Sequence, residues 1–331
     1  MSLILLFSFT LFTSAALLFW IQPLMAKMML PYLGGAPAVW NVCMVFFQST
    51  LLLGYLYVLA LIKWFGFWTK AAIHFILLSA AVLFFPFSLT ENLLVSLSAQ
   101  QHPVLWGFAA LIITVGFPFF VVSATNPLLQ YWFSRSHHRS AKDPYFLFAA
   151  SNLGSLIALL GFPLLLEPNL SLNSQSRLWA LCYGIMAIMI AACFVASRRK
   201  DPAELPDGLP PVDAPPLTVR RRAMWVAAAF IPSSLMLSVT QYISTDIAAV
   251  PLLWVVPLAL YLISFVLVFI GKRLTSHGGT GILLPGTALL ITFIYLSGAR
   301  EPGWFLIPIN LAFLFMGSMI CHGRLAADRP H

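Results

Sequence analysis

The sequence predicts an all-α polytopic membrane protein with about ten transmembrane helices. Three observations predict it. Apolar residues make up 60% of the 331 residues and charged residues only 8%. A soluble domain carries about 25% charged residues, and a soluble body with so few would expose large apolar patches. Apolar stretches then recur at the length that crosses a bilayer, about 20 residues for about 30 Å of hydrocarbon. Finally, Lys and Arg gather in alternate connections between those stretches.

The first stretch, 2–22, lacks a basic leader and an Ala-x-Ala site, and it is long enough to span, so it reads as a helix and not a signal peptide. The next are 38–62, 70–88 and 104–123. A break is expected after the fourth, at Asn126-Pro127, and the following piece, with Tyr131, Trp132 and Phe133, suits the headgroup layer. Stretches 144–165 and 177–196 complete a first six-helix bundle, 1–196. A Pro-rich segment, 197–222, flanked by Arg198-Arg199-Lys200 and Arg220-Arg221-Arg222, has the composition of a linker, and its basic triplets suit anionic headgroups. Stretches 223–242, 249–270, 280–298 and 303–321 form a second, incomplete four-helix bundle within 223–331.

The formal net charge is +8. The basic residues punctuate apolar stretches, so topology explains the excess and nucleic acid is not the expected partner; the lipid bilayer is. With the N-terminus inside, the inner connections receive Lys63, Lys70, Arg135, Arg139, Lys142, both triplets, Lys272, Arg273, Arg324 and Arg329, which is 15 of the 18 basic residues. Only Lys27, Arg177 and Arg300 remain outside. Both termini and the linker are therefore expected in the cytoplasm. The four cysteines, Cys43, Cys182, Cys193 and Cys321, lie within apolar stretches and read as small hydrophobes.

The two bundles begin alike. A shift of 219 residues places Ser14 on Ser233, Gln22 on Gln241 and Lys27 on Asp246. With five extra residues in the first copy, Pro37-Ala38-Val39-Trp40 falls on Pro251-Leu252-Leu253-Trp254. Both copies occupy a first helix, an outer loop and the start of a second helix, so the pseudo-repeat is expected to be parallel, as in major facilitator transporters.

Several stretches resemble one family. These are Ile21-Gln22-Pro23 through Lys27, Gly34-Gly35-Ala36-Pro37-Ala38-Val39-Trp40-Asn41, Asp143-Pro144-Tyr145 with Ala150-Ser151-Asn152-Leu153-Gly154-Ser155, Ile231-Pro232-Ser233-Ser234-Leu235-Met236-Leu237, Ser244 through Trp254, and Cys321-His322-Gly323. Together they resemble the membrane portion of the fused major-facilitator/spermidine-synthase-like bacterial proteins, over nearly the whole chain. The resemblance implies a multi-pass protein of the bacterial inner membrane. Family members often continue into a soluble synthase-like domain. This chain has no G-x-G-x-G element and ends nine residues after His322, so aminopropyl transfer is not carried over to it.

Candidate cavity or gate residues are Gln22, Lys27, Gln241 and Asp246. Lys27 and Asp246 are expected to end the first helix of each bundle and to face one another; the alternative is that each snorkels or caps a helix end. Gln22, Gln241, Gln48, Asn41 and Asn152 read first as helix-to-helix hydrogen bonders. Asn152, Ala150, Gly154 and Ser155 form a small-residue face expected to be a packing seam. His74 and His322 read as structural, and His137-His138 as part of a solvated loop. No catalytic set, metal site or cofactor motif is found in the sequence. Two functions compete: a transporter-like protein moving a small metabolite, or a non-transporting membrane anchor or subunit for a soluble enzyme or larger membrane complex. A polyamine, which the family name suggests, would need several embedded carboxylates, and only Asp246 sits deep enough, with Asp143, Glu167 and Glu301 at segment edges.

Overall fold

A computed structural model describes residues 3–33, 37–89, 102–136, 138–142, 146–197, 218–247, 255–270 and 280–328. Among them no strand is found, and ten long helices carry the fold. These are α1 (Leu3–Leu33), α2 (Pro37–Trp64), α3 (Phe67–Phe84), α4 (Pro103–Ser134), α5 (Phe146–Asn169), α6 (Leu172–Ser197), α7 (Val219–Ile247), α8 (Val255–Ile270), α9 (Thr280–Ser297) and α10 (Gly303–Ala327). Eight are long and apolar enough to cross a membrane; α8 and α9 give shorter apolar helices. Large apolar side chains such as Leu83, Ile188, Leu289 and Leu296 point outward. Only a hydrocarbon solvent suits such a surface, and helices satisfy their backbone groups within it. The chain is an all-α polytopic membrane protein.

It divides into two compact units, Met1–Val212 and Asp213–His331. The boundary falls within the expected linker, most of which, 198–217, lies outside the described residues, as do 251–254 and the side chains of Pro37-Ala38-Val39-Trp40 and Asn41.

In the first unit, α1 is apolar on every side and buried on most of them, from Phe7 and Leu11 through Ile21 to Met29. A helix apolar all round belongs inside a bundle. Helix directions follow from which residues meet. Gly154 lies against Phe12, and Glu167 meets Lys27, so α1 and α5 run parallel. Thr10 meets Cys193, and the Trp179 indole donates to the Leu17 carbonyl, so α6 runs the other way. Phe7 against Phe133 and Ser14 against Val122 make α4 antiparallel to α1. Phe47 packs on Phe119 and Gly54 on Ser123 and Ala124, so α2 and α4 run together. Lys70 against Tyr131 and His74 against Thr125 set α3 antiparallel to α4, so α1, α3 and α5 oppose α2, α4 and α6, as a chain crossing a bilayer back and forth requires.

Two corrections concern helix ends. The chain does not break at Asn126-Pro127. Helix α4 runs through Pro127 to Ser134, and Leu128, Leu129, Trp132 and Phe133 are buried and not laid in a headgroup layer. Membrane helices tolerate an interior proline where neighbouring helices surround it. Pro118 and Pro163 are likewise absorbed, by π-helical turns at Ile112–Gly116 and Phe162–Leu166, which widen the hydrogen-bond ladder where a proline N–H is missing. Lys27 also does not end its helix: α1 continues through Pro31 to Leu33.

In the second unit, α10 lies antiparallel to α7. Arg221 and Trp225 meet Asp328, Leu235 meets Gly317, and Ile247 meets Gly303. Helix α8 joins α10 through Ser264 and His322, and α9 joins it through Tyr295 and Asn310.

Candidate functional site

Lys27 and Asp246 are each met by a charge inside their own unit. The Lys27 ammonium pairs with the Glu167 carboxylate, joining α1 to the end of α5, with both side chains about two-thirds or more covered. Asp246 sits in the π-helical turn Ile243–Ile247 that ends α7, 3.5 Å from the guanidinium of the exposed Arg300. A half-covered charge near hydrocarbon is costly unless paired, which explains both contacts. Beside the second pair, the Tyr242 hydroxyl donates to the Ala299 carbonyl and the Tyr242 ring packs on Tyr295. The sequence placed Glu167 at a segment edge and Arg300 in an outer connection but did not pair either with its partner. The available signal was that each lies on the same expected side as the charge it meets.

The amides turn inward on their own helices. Gln22 donates to the Leu18 carbonyl at 3.1 Å, Gln241 to the Thr245 hydroxyl at 3.3 Å, and Asn152 to the Phe148 carbonyl at 2.8 Å. A different amide bridges helices: Asn126 of α4 donates to the Ser151 hydroxyl of α5 at 3.0 Å. The small-residue face lies next to it. Gly154 and Ser155 are buried, and Ala150 and Asn152 are half-buried. A Cβ at position 154 would clash with the Phe12 carbonyl oxygen and come within 2.9 Å of its carbon. Only glycine lets α5 approach the α1 backbone this closely.

Two groups of buried ionisable side chains stand apart from those candidates. Lys70, counted above as an inner-loop base, lies in the first turn of α3 and is 1% exposed. Its ammonium donates to the Tyr131 hydroxyl at 3.0 Å and lies 4.9 Å from the centre of that ring. Arg135 approaches the same ring, at 5.4 Å. One turn along α3, His74 is fully buried, with Nε2 3.4 Å from the Thr125 hydroxyl and its ring stacked toward Tyr57. In the second unit, His322 is also fully buried, with Nδ1 2.9 Å from the Ser264 hydroxyl. Ionisable groups at membrane depth are expensive and commonly functional. Among the described residues no group of three or more His, Cys, Asp or Glu could hold a metal ion.

The geometry offers ion pairing at helix ends and hydrogen bonding at buried imidazoles. Comparison with family models, curated proteins and solved structures finds no match to this chain. What the fold and these side chains define is a class: a multi-pass helical membrane protein with two compact units.

Proposed function

We propose that the chain is a transporter-like protein of the bacterial inner membrane, with a major-facilitator-like parallel pseudo-repeat, that moves a small metabolite. One observation carries this reading. The fourth span of each unit pairs with that unit's first, second and third spans: α4 with α1, α2 and α3, and α10 with α7, α8 and α9. The first-to-fourth pairing is antiparallel in both. The sequence correspondence between 14–40 and 233–254 supports the same reading, as does the resemblance to the membrane portion of the major-facilitator/spermidine-synthase-like proteins. Both termini are placed in the cytoplasm on the basic-residue count.

A second reading, a membrane anchor or subunit for a separate soluble enzyme or larger complex, has its own support. The residues expected to line a cavity are engaged elsewhere: Lys27 and Asp246 in ion pairs within their units, Gln22 and Gln241 along their own helices.

Reconstitution separates the two. Liposomes holding the purified chain, filled with unlabelled small-molecule extract and placed in isotope-labelled extract, should accumulate specific labelled solutes above protein-free vesicles. Folded, monodisperse protein that exchanges nothing would favour the anchor.

A further inference from the structure

Ser264 has one hydroxyl hydrogen, and it is committed. Its Oγ donates to the Tyr261 carbonyl, one turn back on α8, at 2.6 Å. The same oxygen lies 2.9 Å from His322 Nδ1, so it must accept there, and Nδ1 must carry the proton. That fixes the tautomer and leaves Nε2 as a bare lone pair. Nε2 is buried and has no donor among the described residues. A buried acceptor without a donor is costly.

The ring is enclosed by aromatic neighbours. The imidazole stacks on Phe265 with ring centres 3.6 Å apart, and Tyr261 meets it edge-on at 5.0 Å. An aromatic face attracts a cation. We propose that His322 Nε2 is a proton-binding site in the second unit. A proton from water adds to the Nε2 lone pair, no other bond changes, and the ring gains one positive charge. His322 lies five residues before the end of α10 at Ala327, about 8 Å along the axis from that end.

The groups around it define what the proton does. Tyr261 faces the ring from α8, and its hydroxyl is shared with Ser233 of α7. Arg221 and Trp225 of α7 are committed to Asp328. Tyr295 of α9 is bonded to Asn310, far along α10. Cys321 and the exposed Arg324 are the nearest titratable groups on α10 itself. No carboxylate among the described residues pairs with the ring. The new Nε2–H would therefore lack an acceptor in this packing, and proton uptake favours an arrangement of α8 and α10 in which the ring edge reaches water. The inference stands independently of transport.

Nitrogen NMR of ¹⁵N-histidine-labelled protein in lipid nanodiscs tests it. At about pH 8, one ring should show protonated Nδ1 and bare Nε2, and this signal should vanish in His322→Gln. On acidification it should convert to the doubly protonated form while the protein stays folded. Phe265→Leu, which removes the stacking face, should move the conversion to lower pH. If His322→Gln does not fold, Ser264→Ala identifies the signal by removing the acceptor at Nδ1. An Nε2–H tautomer, or a bare nitrogen that persists until the protein unfolds, would overturn the proposal.

Discussion

Both units carry polar pairs across their helix seams, as with Asn126 and Ser151 or Lys70 and Tyr131 in the first, but among the described residues only the first brings two helix backbones together at a glycine. In the first, backbones touch. Gly154 meets Phe12, Gly54 meets Ser123 and Ala124, and a large apolar cluster from Phe7 to Cys193 fills the rest. In the second, polar pairs hold each seam: Ser233 with Tyr261, Ser264 with His322, Tyr295 with Asn310, and Arg221 with Asp328. The difference follows from how much surface each unit encloses. Helices α2, α4, α5 and α6 all pack on α1, so van der Waals contact can supply the association energy. Four helices bury fewer side chains, and lipid gives no hydrophobic drive between helices, so directional bonds carry more of the load.

The largest effect should come from filling a backbone contact. Gly154→Leu would force α5 off α1, and overpacking typically costs about 1–3 kcal/mol, more against rigid backbone. The yield of monodisperse protein in mild detergent should fall sharply. Unchanged recovery and melting would mean that α5 does not rest on α1. Gly184→Leu, which has open space around it, serves as the control and should behave as wild type.

Next in size are the polar seams of the second unit. Asn310→Leu strands the Tyr295 hydroxyl and should lower stability by about 0.6 kcal/mol, the average for such bonds between membrane helices, and by no more than about 1.7 kcal/mol. Unfolding in graded denaturing detergent would measure it. A loss as large as that of Gly154→Leu would erase the contrast between the units.

The Lys27–Glu167 pair is smaller because it is partly solvated. A double-mutant cycle with Lys27→Ala and Glu167→Ala should give a coupling of up to about 1 kcal/mol. No coupling would mean that the two side chains do not meet.

The smallest effect is pH-dependent. Hydrogen bonds from the Arg221 guanidinium and the Trp225 indole hold the Asp328 carboxyl below its ordinary value. A carboxylate lowered in the folded state contributes stability that is complete above the unfolded value and lost as pH falls through the folded one. The melting difference between wild type and Asp328→Asn should therefore be constant at neutral pH and shrink only in acid. A difference that instead grows on acidification would show that Asp328 is not held ionised by these partners.

Much of the fold was legible because hydropathy at membrane length is a strong signal. Helix ends were less so. Pro127 reads locally as a stop, yet α4 passes through it because Asn126, Leu128 and Trp132 are packed on neighbours far away in sequence. Lys70 reads as a loop cation, since composition cannot separate a lysine that reaches water from one folded under Tyr131. The glycine at 154 was visible within its small-residue face, but its partner Phe12 was not. The histidines were least legible. His322 acquires its meaning from Ser264, 58 residues earlier, and from where Ser264 spends its single hydrogen. No spacing rule in the sequence encodes that.

The proposed transporter-like reading rests on a parallel pseudo-repeat, in which both units cross the membrane in the same direction. Single cysteines at Pro31, near the end of α1, and at Arg300, beside the end of α7, test it most directly in a background lacking Cys43, Cys182, Cys193 and Cys321. An impermeant thiol reagent applied to intact cells should label both, while a cysteine in the 197–222 segment stays unlabelled until the membrane is opened. Labelling of one site from outside and the other only from inside would mean that the units are inverted, and would contradict the account.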